Sequence, residues 1–427
     1  MSAKIHPSYY YPRRKGASAK RWFVENQIGL CLCVTVPVLL AQTVAFTRPY
    51  TTKFLSLSYY DGKTGDYGLG FDDAYFVLFL VAVFTGLRAA AMQYALVPLA
   101  RRCNLKGTKV TRFSEQSWMI VYYTLSWNIG MYIYATSPYW LNLREMWTSW
   151  PNRETTVFMK SYMIAQLAFW LQQIIVINIE KPRKDYWQML SHHIVTIGLI
   201  YCSYRYGLTR VGNVVLVLMD LNDLFFSVAK CLKYLKHQTL CDIMFGIFVV
   251  SWVVLRHVAF CLVIWSVYAH SIEMMKGCYK GMGENVTGPF DIPTDGSRYW
   301  LVPLVSNSEI MCYDSKIMHA FLGGLLFLQG LMIFWFIMIF KLVVRVLLGE
   351  NAEDTRSDDE AENENEQDYV EVDVGPENLC LPSRSSVTGL ARTDSRHRSR
   401  AVSTSLHSDG RKLLDRIGCE KKIEWEG

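Results

Sequence analysis

The chain has 427 residues, of which 51% are apolar, 14% aromatic and 19% charged, with a formal net charge of +6. So oily and charge-poor a composition excludes an ordinary soluble domain of this size. The apolar residues fall in blocks of about 20, the length that crosses a ~30 Å hydrocarbon core. The modest net charge says little about partners, because its distribution over the loops matters more than its sum.

No cleavable leader is evident, since "YPRRKGASAKR" is too basic and too far from the first apolar block for a typical signal peptide. In chain order the blocks predict spans near residues 28–46, 75–99, 117–136, 159–179, 187–204, 212–232, 243–268 and 317–343. The basic segments "YPRRKGASAKR", "RRCNLKGTKVTR", "EKPRKD", "KCLKYLKH" and "KLVVR" all fall on one side when eight spans are counted. The positive-inside rule then puts both termini in the cytosol. The aromatic stretch "SWNIGMYIYATSPYW" reads as interfacial anchoring. The longest lumenal loop, 269–316, carries the sequon "NVT" at Asn285, which this topology exposes to glycosylation. Beyond Arg345 an acidic run and a Ser/Arg-rich run lack apolar periodicity, so 346–427 reads as a disordered cytosolic tail. Within it, Ser357 in "SDDE" suits an acidophilic kinase, and Lys421 and Lys422 resemble a dilysine signal set too far from the end. No internal repeat is found.

The eleven cysteines show no CxxC and no Cys/His metal spacing, and most read as small buried hydrophobes. Cys278 and Cys312 differ, because they share one polar loop and would pair in an oxidising lumen.

Few ionisable groups fall at membrane depth, where they are functional hypotheses by default. Span five contributes His192 and His193; span six contributes Asp220 and Asp223, three residues apart and hence on one face. The short turn "RYGLTR" makes the two spans an antiparallel hairpin. At about 1.5 Å per residue the histidines lie roughly 8–10 Å, and the aspartates roughly 14–18 Å, below the cytosolic ends of their helices. Side-chain length and tilt close much of that gap. A carboxylate fixes an imidazole's tautomer and stabilises imidazolium, so such a cluster moves protons or carries an acyl group on nitrogen. The plainer reading is that the four groups merely pin two helices; their placement on one hairpin toward one side argues for chemistry. No two histidines are separated by two or three residues, which argues against a di-iron oxidase. One His pair and two Asp could hold a single zinc, but no metal is expected.

The same residues sit in a longer pattern. "HHIVTIGLIYCSYRYGLTRVGNVVLVLMDLNDLFFSVAKCLKY", preceded by "RFSEQSWMIVYYTLSW", "WTSWP" and "FWLQQIIVINIEKPRKDYWQMLSHH", resembles the Lag motif of ceramide synthases, in the TLC-domain superfamily. The resemblance covers roughly Thr111 to Tyr234. Many members have histidine before the first aspartate, where this chain has Met219; the fungal branch has methionine there. The segment Arg101–Arg112 is too short for the homeobox-like domain of several animal members.

The resemblance implies an all-α polytopic membrane protein, a TLC-type helical barrel with an internal tunnel. It also implies N-acylation of dihydrosphingosine or phytosphingosine by fatty acyl-CoA, of very long chain, in the endoplasmic reticulum. The expected organisation is an N-terminal segment 1–27, a first helix 28–46, a six-helix catalytic core 75–268, the lumenal loop 269–316 and a last helix 317–343. Spans two to seven would enclose the tunnel, with the first and eighth peripheral. His192, His193, Asp220 and Asp223 are the expected catalytic residues, with His192 the preferred nucleophile. Arg183 and Lys184 in "EKPRKD" would hold the CoA phosphates. No cofactor is bound permanently; acyl-CoA is a co-substrate. Expected partners are the two substrates, membrane lipid, a small single-pass accessory subunit and a second copy or paralogue, with no nucleic acid. The rival reading is a TLC-domain protein that binds or transports lipid or assists membrane insertion, for which no proton shuttle is needed. An acyltransferase acting on a hydroxyl, with its single buried histidine, does not account for the hairpin.

Overall fold

The computed structural model describes residues 18–179, 185–281, 286–293, 298–307 and 310–348. Eight long helices occupy the eight expected intervals: α1 Gln27–Thr43, α2 Asp73–Arg102, α3 Thr108–Ala135, α4 Val157–Ile179, α5 Tyr186–Arg205, α6 Thr209–Tyr234, α7 Gln238–Met275 and α8 Ser315–Leu347. Four of them, α2, α4, α7 and α8, are long and apolar enough to cross a membrane by composition alone. α1 is apolar but shorter, and α3, α5 and α6 carry buried polar residues, among them Ser126 on α3, His193 on α5 and Asp220 on α6. This is a multi-pass membrane protein.

Packing corrects the expected core. α3, α4, α5, α8, α7 and α6 each contact the next, and α6 returns to α3. The ring is therefore α3 to α8, not the helices of 75–268. α2 packs against α3 and α4 beside the ring and puts Arg88 on a chamber wall, and α1 packs against α2. α8 is not peripheral: it closes the gap between α5 and α7. It buries Leu325, Leu328, Met332, Trp335 and Ile339 on one stripe, the three- and four-residue spacing of a helix face.

Lipid tails are as apolar as leucine, so helix association here depends on close packing and interhelical hydrogen bonds. Tyr122 of α3 stacks on Phe169 of α4, and Phe226 of α6 on Phe248 of α7. Gly130 lets three helices close up; a Cβ there would sit 2.6 Å from the Tyr162 hydroxyl and 2.9 Å from Val217. The α5–α6 turn needs Gly207 at φ 65°, where a Cβ would also meet the Asn152 carbonyl at 2.8 Å.

The end of the bundle opposite the basic loops is covered by short strands. β1 (Tyr67–Gly68) pairs with β2 (Glu154–Thr155), and β3 (Gly277–Lys280) lies between β4 (Thr287–Phe290) and β5 (Ile310–Tyr313). Cys278 and Cys312 stand opposite one another on β3 and β5 and form a disulfide. Beneath this layer Lys160 is buried against Asp73 at 2.8 Å. Lys160 also donates to the Ser58 and Gly68 carbonyls, and Asp73 accepts from Tyr204 at 2.7 Å. The pair is satisfied on both sides, which a buried ion pair requires.

Candidate active site

The ring encloses two chambers that meet at His192, Trp170, Asp223 and Arg256, the residues common to both walls. One chamber runs toward the basic end and has Arg88, Glu115, Gln116, Asp185 and Lys230 on its wall. The other is smaller and runs toward the strand end between α5, α6, α7 and α8, walled mainly by apolar side chains such as Ile200, Leu216, Leu325 and Met332. Trp147 and Tyr313 stand at its far end. Trp147 donates to Ser266 at 2.7 Å and Tyr313 to Ser271 at 3.1 Å, so two α7 serines hold both rings.

The histidines take different positions. His192 lies at the joint, edge to face with Trp170 and with Trp335, each at 5.4 Å between ring centres. Its Nδ1 has no hydrogen-bond partner. His193 lines only the chamber of the basic end. Its Nδ1 is 2.7 Å from the Met189 carbonyl, which accepts only; Nδ1 must carry the proton, leaving Nε2 with a lone pair.

The aspartates part company too. Asp223 reaches the joint and pairs with Arg256, whose guanidinium stacks on Trp252 at 4.3 Å. Asp220 is fully buried and lines neither chamber. Its Oδ2 accepts from Ser126 at 2.6 Å and from Gln166 at 2.8 Å. Three residues along a helix turn the direction by about 300°, leaving the two side chains some 60° apart. That is enough to aim one at α3 and α4 and the other at α7. The expected four-residue cluster is thus three residues at the chambers and one behind the wall.

Residues 112–341 match the model of a family described as the TLC domain, and that stretch holds almost all of the α3–α8 ring. A ceramide synthase of Gibberella moniliformis is 41% identical over 83% of this chain and 84% of its own length. A sphingosine N-acyltransferase of Schizosaccharomyces pombe is 38% identical over 79% of this chain and 80% of its own. The chain belongs to the Lag family of ceramide synthases. A sphingosine N-acyltransferase-like protein of Alternaria alternata is similar at 43% identity over 79% of the synthase.

The ceramide synthase's own residues add what the sequence reading passed over. Arg256 is a lone arginine in the apolar run "VVSWVVLRHVAF", a legible signal. What the sequence hides is its direction: Trp252–Ala259 is wound as a π-helix, so the 3.6-residue period does not say which face Arg256 occupies. Trp170 and Trp335, whose indole N–H groups are buried without partners, gave no sequence signal beyond their aromaticity. Arg183, Lys184, Asn285 and Ser357 lie outside the described residues.

Proposed function

We propose that this ceramide synthase takes a fatty acyl-CoA from the cytosolic side and transfers its acyl group through His192 to the sphingoid amine. The supporting observation is the position of His192, at the junction of two chambers of which the one toward the basic end is the more polar. A thioester with a polyanionic head and an apolar tail fits that polarity, with its reacting carbon at the joint. Arg88 and Lys230 supply positive charge on the polar wall.

His192 attacks the thioester carbonyl; the carbon–sulfur bond breaks and CoA leaves, taking up one proton as the thiol. The amine then attacks the acyl-imidazole and forms the amide. The sphingoid base arrives as an ammonium ion, so the overall reaction of acyl-CoA with it gives ceramide, CoA thiol and one proton. His193 Nε2, in the polar chamber, removes the ammonium proton before attack. The Trp170 and Trp335 N–H groups are the donors available to the tetrahedral oxygen, and the Arg256–Asp223 pair fixes the charge beside it. The apolar chamber holds the tail and keeps water from the acyl-imidazole.

Along α5 the apolar wall extends from His192 to Ser203, about 16 Å at 1.5 Å per residue. A zigzag of ~1.5 Å bonds advances about 1.3 Å per carbon, so the straight run takes about a dozen carbons. A very-long chain has to bend or pass between helices. The proposed setting is the endoplasmic reticulum, with all eight helices crossing and both termini cytosolic. A disulfide on the strand end supports an oxidising lumen on that side. The family resemblance further supports a small single-pass accessory subunit and pairing with a second copy or paralogue, which co-purification tests.

The deciding experiment incubates purified protein with acyl-CoA alone and looks by mass spectrometry for the acyl mass on the peptide containing 192–193. His192→Ala is expected to lose both that mass and ceramide formation. Full ceramide output from this variant would remove the nucleophile assignment.

A further inference from the structure

Below the joint, the wall of the apolar chamber carries one hydroxyl with nothing to bond. Thr196 is 8% exposed, lines this chamber, and its Oγ1 has no hydrogen-bond partner. The other side-chain hydroxyls of this wall are satisfied: Ser203 donates to the Leu208 carbonyl at 2.7 Å, and Tyr313 donates to Ser271. Among the described residues no other buried hydroxyl is left in this state.

A helical threonine has an easy remedy, a bond back to the carbonyl four residues earlier. This chain uses it repeatedly. Thr35 donates to Cys31, Thr85 to Val81, Ser114 to Val110 and Ser271 to Val267, all within 2.5–2.8 Å. Thr196 does not make the equivalent bond to His192. A buried hydroxyl left unpaired costs free energy that a valine of the same shape would not. The arrangement is explained if a ligand group completes it.

We propose that Thr196 is a hydroxyl-recognition subsite, and that the synthase selects acyl chains bearing a hydroxyl on one of the carbons nearest the thioester. The inference rests on the acyl-transfer reading of the site and deepens it. Thr196 follows His192 by one turn, about 6 Å along the axis, and its side chain leans back toward the helix N-terminus, hence toward His192. A chain whose carbonyl carbon is at His192 advances about 1.3 Å per carbon and passes Thr196 within its first few carbons. A hydroxyl at C2 or C3 meets Oγ1 there; one at the far end of the tail does not. An unsubstituted chain leaves Thr196 unpaired, and sites with a polar group to satisfy discriminate against ligands that lack its partner.

The test is a one-pot competition. Purified synthase receives equal hexacosanoyl-CoA and either 2-hydroxy-, 3-hydroxy- or ω-hydroxyhexacosanoyl-CoA with dihydrosphingosine, and the ceramides are quantified by mass spectrometry; the same set with sixteen-carbon chains is run in parallel. One neutral hydrogen bond corresponds to about threefold to tenfold in kcat/KM. That preference is expected for the 2- or 3-hydroxy chain and not for the ω-hydroxy chain. It is expected to fall to about one in Thr196→Val and to persist in Thr196→Ser. An equal or adverse wild-type ratio overturns the proposal, and so does a preference that survives in Thr196→Val. If Thr196→Val instead changes the ratio between phytosphingosine and dihydrosphingosine, the hydroxyl belongs to the base and the acyl assignment falls. Ceramide formed from either chain length without hydroxyl selectivity defeats this inference alone. Absence of any ceramide defeats the acyl-transfer reading with it.

Discussion

Asp220 and Asp223 share a helix face in projection and do different work in space. Asp223 is tied to a guanidinium at the chamber joint, while Asp220 is held by the neutral donors of Ser126 and Gln166. Asparagine keeps an acceptor oxygen for those two donors, so Asp220→Asn is expected to lower kcat by no more than about tenfold, the size of a hydrogen-bond change. Asp223→Asn leaves the Arg256 charge at the chamber joint without its counter-ion and is expected to cost about 100-fold or more. Steady-state kinetics of the two purified variants decide; equal losses would place both carboxylates in one functional unit. The sequence made the chemical types legible at this scale, since imidazole, carboxylate and guanidinium stand out in apolar helices. It could not show which carboxylate reaches the chamber, because that depends on the 60° between their directions and on the neighbours they meet.

At the scale of elements, apolar blocks announced all eight helices because hydrocarbon solvent demands such runs. They did not announce the role of α8. A helix apolar on every side shows no stripe, so its inward row from Leu325 to Ile339 emerges only from packing. Ser126 of α3, His193 of α5 and Asp220 of α6 are buried within the bundle, whereas Asn128 of α3 faces out and bonds back to the Thr124 carbonyl. A further element-scale device was invisible beforehand: Lys160 of α4, fully buried, joins the α1–α2 loop to the first turn of α2 through Asp73. Removing one partner of a buried pair costs about 3–5 kcal/mol. Lys160→Met is therefore expected to lower the Tm of the detergent-solubilised protein by several degrees, with Lys160→Met combined with Asp73→Leu recovering part of the loss. No change in Tm for the single variant would show that the pair is not a structural tie.

For the whole molecule, a ring of six helices makes an interior that neither a hairpin nor a bundle pair could, and the two ends of that interior differ in polarity. The more polar end faces the basic loops, and the rings of Trp147 and Tyr313 line the apolar end. Tyr313 directly follows Cys312, which the disulfide fastens to β3. Closing a loop of 34 residues this way stabilises the strand end by about 2–5 kcal/mol. The same bond keeps a stopper seated. On the proposed acyl-imidazole route, unseating the Tyr313 ring would let water reach the loaded acyl group, which would leave as free acid. Cys278→Ser with Cys312→Ser is accordingly expected to raise the ratio of fatty acid to ceramide released from acyl-CoA, read by mass spectrometry; an unchanged ratio would show that the stopper holds without its tether.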